Sequence, residues 1–263
     1  MANLSIFFRY SVVNFFLFLK NLLLYPFSRL ARHRLSHSYQ VITYPFFGDR
    51  YVELSELLKD ENMQVSLAPL KARPHNTTEF ELVSIAAIIK DNRCNTILEI
   101  GTFDGRTTRA MAMNLADENG KIYTLNLPPE MDEVSLSTHQ IDVNLASKVV
   151  SGERFLGTPQ ERYIQQIWGD SAKFDFSPYN GKMDLVFIDG AHSEDYVAND
   201  TKKAFQLVKP AGGIILWHDA HLFGVKDFFT KWLAETHYPV YFIRNTSVAV
   251  MGLKNGQPFD LKA

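Results

Sequence analysis

From residue 76 onward the chain repeats one pattern: an apolar run of five or six residues, a Gly, Asp or Asn at its end, then a longer amphipathic stretch. The runs at 96–100, 122–126, 164–168, 184–189 and 213–217 read as buried strands. Two more, at 240–244 and 247–253, are joined by a tight turn at Asn245 and Thr246 and read as an antiparallel hairpin. The stretches 106–116, 193–207 and 225–235 carry apolar residues at helical spacing. A further helix is expected over 76–92, where Thr78 and Glu81 have capping-box spacing and Leu82, Ile85, Ala86 and Ile89 share a face. Strands alternating with helices predict an α/β fold, a mostly parallel sheet with helices on both faces and a terminal antiparallel strand.

The first 38 residues break the pattern. Residues 4–27 are dense in Phe and Leu, and Arg9 and Lys20 leave only about ten uncharged positions between them. A membrane span needs roughly 20. Arg29, Arg32, His33 and Arg34 follow and suit anionic head groups. This arm is expected to lie in a membrane interface at the cytoplasmic face, or to pack on a second subunit of a homo-oligomer. Residues 39–75, with Pro45, Pro69 and Pro74 and a short helix expected near 52–59, read as a linker or cap. Residues 76–263 form the main domain, with an insertion at 127–157 long enough to be a lid or substrate wall.

Composition narrows the function classes. At 46% hydrophobic and 21% charged the chain is globular, and a net charge of −2 gives no basic field for nucleic acid. A single cysteine, Cys94, excludes an intrachain disulfide.

Chemistry concentrates where the runs end. The segment TILEIGTFDGRTT at 96–108 is a strand, a glycine-bearing turn and a helix start. It lacks the G-x-G-x-x-G of a dinucleotide site and the G-K-[ST] of a P-loop. It carries Glu99 and Asp104 instead, and acids beside a helix N-terminus repel phosphate but suit a cationic, ribose-bearing ligand. Further on, DLVFIDGAH delivers Asp189 and His192, and GGIILWHD delivers His218 and Asp219. Neighbouring parallel strands bring their ends together, so Asp189, His218 and Asp219 can converge on one divalent cation. An oxygen-rich set with one imidazole suits Mg²⁺ or Mn²⁺.

The turn at 96–108 resembles motif I of the class I S-adenosylmethionine (SAM)-dependent methyltransferases. The DGAH and WHD pair resembles the metal-dependent O-methyltransferases of the catechol type, and more closely the macrocin type. The resemblance spans about residues 78–253. It implies a Rossmann-like seven-stranded sheet whose last strand inserts antiparallel. It also implies SAM contacts at Glu99, Gly101, Thr102, Asp104 and Gly105, at Asn126 where the family usually has an acid for the ribose, at Asp170 and Ser171 around the adenine, and at Asp189. Asp189, His218 and Asp219 become metal ligands, with His218 departing from the family's usual acid. His192 becomes the general base that takes the acceptor's proton.

Several readings stay open at this point. Asp170 and Ser171 also suit a plain cap, and so does His192 before the helix near 193. The leading function is methyl transfer to a hydroxyl of a small molecule or glycan. A metal-free methyltransferase using His192 alone and a membrane-tethered SAM-fold module without catalysis are the alternatives. An NAD oxidoreductase is disfavoured by the missing glycine pattern.

Overall fold

All seven apolar runs pair into a single sheet. The structure, a computed structural model, describes residues 44–262 apart from 61, 132, 140–141 and 145–149. The expected arm at 1–38 lies outside the described residues. The sheet and the candidate site both belong to the unit that begins at Asp49.

In chain order the strands and α-helices are β1 (Tyr51–Val52), α1 (Glu79–Asp91), β2 (Thr96–Ile100), α2 (Arg106–Ala112), β3 (Lys121–Asn126), β4 (Ile164–Trp168), β5 (Leu185–Ile188), α3 (Glu194–Leu207), β6 (Gly213–Trp217), α4 (Phe223–Thr236), β7 (Tyr241–Ile243), β8 (Ala249–Lys254) and β9 (Gln257–Phe259). The sheet runs β1-β7-β8-β6-β5-β2-β3-β4, with β9 paired to β8. Strands β4, β3, β2, β5 and β6 are mutually parallel. Strand β8 inserts antiparallel between β6 and β7, as expected of the terminal strand. The described residues hold nine strands rather than seven. The additions, β1 and β9, are two and three residues long, too short to show a periodicity.

Burial explains why the central runs carry no alternation. Every residue of β5 is buried, as are four of the five in β2, because helices cover both faces. Helix α1 starts at the expected capping box, with Thr78 and Glu81 bonded reciprocally. Helix α2 is shorter than the expected 106–116. The buried Asn114 amide donates to the Ala110 and Ser66 carbonyls, both at 2.7 Å, which ends the helix and ties it to the segment before α1. The helix expected near 52–59 is instead β1 followed by the 3₁₀ turn Leu54–Leu57. Its Val52 carbonyl accepts from Arg244 N at 2.9 Å, so this segment is held as an edge strand. Among the described residues no helix is long and apolar enough to cross a membrane.

Candidate active site

Parallel pairing brings the strand ends to one edge. The ladder continues past the strands: Gly101 N donates to Leu125 O, Gly169 N to Asn126 O, Asp189 N to Ile100 O and His218 N to Ile188 O, at 2.8–3.0 Å. The turn after β2 is therefore flush with the ends of β3, β4, β5 and β6. A crevice outside the carboxyl ends of parallel strands is where such sheets bind ligands.

The expected turn residues divide into two groups. Glu99 is fully buried, and a chain of donors points at it. Gln166 Nε2 donates to Thr102 Oγ1 at 3.0 Å. Thr102 and Thr124 hydroxyls are 2.6 Å apart, and Thr124 and Thr108 donate to Glu99 Oε2 at 2.6 and 2.5 Å. Glu99 Oε1 is buried without a hydrogen-bond partner. Burial pushes the Glu99 carboxyl up to about 8, against the two hydroxyls and with Asp189 adding to the rise. Asp104 faces protein groups: Asn76 Nδ2 at 2.9 Å, Arg106 N at 3.1 Å and Arg154 Nε at 2.6 Å. Arg106 is itself buried and donates to the carbonyls of Pro69, Leu70 and Thr77. Asp104 and Arg106 thus clamp the 69–77 segment onto the turn.

The glycines of the turn answer to the backbone around them. Gly101 has φ 101°, and a Cβ there would fall within the carbonyl of Asp189. Gly105 has φ 82°, and a Cβ would meet Phe155 and Gly152 of the 127–157 insertion. On the neighbouring strand, the Asn126 amide donates to Ser151 Oγ at 3.0 Å. Asp170 accepts from Ser135 N, Ala172 N and Tyr196 Oη at 2.8–2.9 Å, so it anchors the insertion to the end of β4 and to α3. Ser171 is buried beside it.

At the ends of β5 and β6 the expected cluster comes together. Asp189, His218 and Asp219 each present a ligand atom within 4.8 Å of the others. His218 Nδ1 lies 3.1 Å from Asp189 Oδ1 and 3.3 Å from Asp219 Oδ2. His192 reaches the same group, with Nε2 3.0 Å from Asp219 Oδ2. Asp219 is held in the left-handed region at φ 52°, with its N–H on Ser247 Oγ at 3.3 Å. His192 is not the cap of α3; Ser193 is, accepting from Tyr196 N. Gly224 of α4 packs on the His192 carbonyl so closely that no Cβ fits.

Three partners were not legible in the sequence pattern. Asp142, from the insertion, accepts the His192 backbone N–H at 3.0 Å and meets Nδ1 at 2.9 Å. Glu81 lies 3.3 Å from His218 Nε2, and Ser247 Oγ is also 3.3 Å from it. Asp142 sits in no motif. Glu81 was legible as a helix cap, but its second role depends on His218 and on Ser247, which is 166 positions away.

The charges are mutually dependent. Burial would lower both imidazoles, but Asp142 and Asp219 raise His192 to about 10, and Asp189, Asp219 and Glu81 raise His218 well above its usual value. Burial would likewise raise Glu81 and Asp219, but His218 holds both well below the carboxylate range, with Ser247 helping Glu81 and His192 helping Asp219. His221, two residues beyond Asp219, is lowered by burial.

Residues 98–220 match the profile of a methyltransferase domain. This part of the chain is a methyltransferase domain. The enzyme class expected from the sequence, a class I SAM-dependent methyltransferase, rests on that match together with the sheet order. Among solved structures, the chain is similar to a Podospora anserina methyltransferase bound to S-adenosylhomocysteine (18% identity, 66% of this chain, 78% of that one, TM-score 0.48). It is also similar to the Bacillus cereus O-methyltransferase in complex with the same product (16%, 68% and 83%, 0.47). A third is TomG from Streptomyces achromogenes, in complex with SAM (16%, 68% and 81%, 0.47). No curated protein matches the chain.

The residues of the methyltransferase domain fit a divalent cation. Oxygen donors come from two acids on adjacent strand ends, and His218 Nδ1 is buried and aligned for a hydrogen bond with neither acid. They also fit a cationic donor such as SAM, since Glu99, one residue from the end of β2, keeps a buried Oε1 without a hydrogen-bond partner.

Proposed function

We propose that the protein transfers the methyl group of SAM to a hydroxyl of a small molecule or glycan, with Mg²⁺ or Mn²⁺ held by Asp189, Asp219 and His218, and with His192 as general base. The observation that carries this reading is the meeting of Asp189, His218 and Asp219 within 4.8 Å, beside His192.

A hydroxyl attacks a methyl sulfonium poorly while protonated. The cation supplies Lewis acidity that lowers the hydroxyl pKa. The remaining work falls to side chains. Asp189 and Asp219 would hold that cation at the strand ends, where it would orient the acceptor oxygen. Asp142 takes the Nδ1 side of His192, which leaves Nε2 facing the cluster to accept the proton. Asp189 and Asp219, once their charge is neutralised, hold the protons of His192 and His218 less tightly, which favours the neutral imidazole a base requires. Alignment of oxygen, methyl and sulfur then supplies much of the rate. The 127–157 insertion and the 39–75 segment are the proposed walls for the acceptor. The arm at 1–38 is the proposed attachment to the cytoplasmic leaflet.

Calorimetry with SAM and with Mg²⁺, followed by methyl transfer to a panel of catechol, phenol and sugar hydroxyls, tests the proposal. Asp219→Ala should weaken cation binding and turnover together. Full turnover in excess EDTA would remove the cation and leave His192 with Asp142 as the whole proton-accepting device. No SAM signal at hundreds of micromolar would overturn the assignment itself.

A further inference from the structure

We infer that Glu81 is the positioning residue for His218: it holds the Nε2 side of the imidazole and so presents Nδ1 to the cation. The inference rests on the metal reading above and extends it to a residue outside the ligand cluster.

Glu81 lies in the first turn of α1 and is only 2% exposed. A capping box needs one carboxylate oxygen, and it works on a solvated helix end. Here both oxygens are used. Oε2 accepts from Thr78 N and Thr78 Oγ1, each at 2.8 Å. Oε1 accepts from Ser247 N at 2.7 Å and Ser247 Oγ at 2.6 Å. Burying a carboxylate is costly unless a charge or donor compensates it. The donor that reaches it from outside its own helix and Ser247 is His218 Nε2, 3.3 Å from Oε2.

The direction of the hydrogen bonds fixes the ring. Ser247 gives its hydroxyl proton to Glu81, so both groups near His218 Nε2 are acceptors there. Nε2 therefore carries a proton whether it meets Glu81 or Ser247 Oγ. A neutral His218 then has its lone pair on Nδ1. That nitrogen is buried, 3.1 Å from Asp189 Oδ1 and 3.3 Å from Asp219 Oδ2, and lines up with neither. An imidazolium acting only as an ion-pair partner would point Nδ1–H along one of those oxygens. An imidazole with one nitrogen fixed by a carboxylate and the other off-axis among acids has the disposition of a metal-bound histidine. Ser247 serves both sides, since it also holds the Asp219 backbone N–H. The N-terminus of α1, the end of β6 and the turn before β8 thus set one ligand.

The test uses Mn²⁺ as probe on the full chain, read by pulsed electron paramagnetic resonance. Wild type and His192→Ala should show the nitrogen coupling of a directly bound imidazole, and His218→Ala should lose it. Glu81→Gln should weaken Mn²⁺ by roughly ten- to a hundredfold, the usual effect of removing an outer-shell partner. If Glu81→Gln fails to fold, ¹⁵N resonances of His218 in Mg²⁺-loaded wild type decide instead: a protonated Nε2 is expected, and a protonated Nδ1 overturns the inference. Mn²⁺ that binds and is lost in Asp219→Ala, yet shows no nitrogen coupling in wild type, overturns the inference while the metal site stands. Absence of Mn²⁺ binding removes both. A folded Glu81→Gln with unchanged affinity and coupling also overturns it.

Discussion

His192 meets Asp142 twice, through its backbone N–H at 3.0 Å and its ring Nδ1 at 2.9 Å. The double contact fixes the loop and the ring orientation at once, and Thr138 Oγ1 steadies the same carboxylate at 3.1 Å. Asp142→Asn should lower the His192 midpoint from about 10 toward the ordinary 6.5, seen in long-range ¹H–¹⁵N spectra of the ring. The folded value is raised, so the contribution is fully present below about pH 6.5 and lost as pH rises through about 10. His192→Ala should lower turnover by roughly 10²–10⁴ with SAM affinity little changed. Turnover near wild type would leave His192 with a packing role only.

Glu99 gives the opposite pH signature. Burial lifts its carboxyl to about 8, so ionising it in the folded state is unfavourable. Its cost is absent below about pH 4.5, grows as pH rises and is complete above about 8. Glu99→Gln should therefore flatten the fall of Tm between pH 5 and pH 8, by up to a few kcal/mol in stability. An unchanged slope would show that Glu99 is already ionised in the free protein. SAM, as a cation, should bind with release of less proton in the variant than in wild type, which calorimetry in buffers of different ionisation enthalpy measures.

Gly101 is expected from the sequence to make room for a ligand. The structure gives a second reason, the carbonyl of Asp189 in the space a Cβ would need. Gly101→Val should therefore cost about 3 kcal/mol or more and weaken Mg²⁺ binding as well as SAM binding, because it displaces Asp189, a proposed metal ligand. Loss of SAM affinity with Tm and Mg²⁺ affinity intact would return the glycine to the ligand alone.

The sheet and the cluster at β5 and β6 were legible because buried parallel strands read as apolar runs, and their ends carry the acids and histidines. What was not legible depends on contacts across the chain. Asp104 looks like a cofactor acid in the motif, yet Arg154 and Asn76, 50 and 28 positions away, take its oxygens. Asp170 looks the same, and the insertion's Ser135 and the α3 residue Tyr196 share it. Helix α2 stops early because Asn114 turns to Ser66, a partner no local pattern announces.

The proposed membrane attachment predicts a difference between chains. Full-length protein should co-sediment with anionic vesicles, and protein lacking residues 1–38 should not, while both bind SAM. Equal pelleting would dismiss the anchor. A dimer lost on truncation would make the arm a subunit contact.

The carboxylate of Asp104 also bears on the order in which the chain assembles. It joins three stretches, since Arg154 bonds both to Asp104 and to the Lys71 carbonyl 83 positions back. Closing loops of that length costs entropy before any contact repays it. The turn after β2 is therefore finished late, after the segment before α1 and the stretch before β4 have both docked. A protease cut in either stretch should then loosen the other, and amide exchange in the turn should rise although the turn itself is intact.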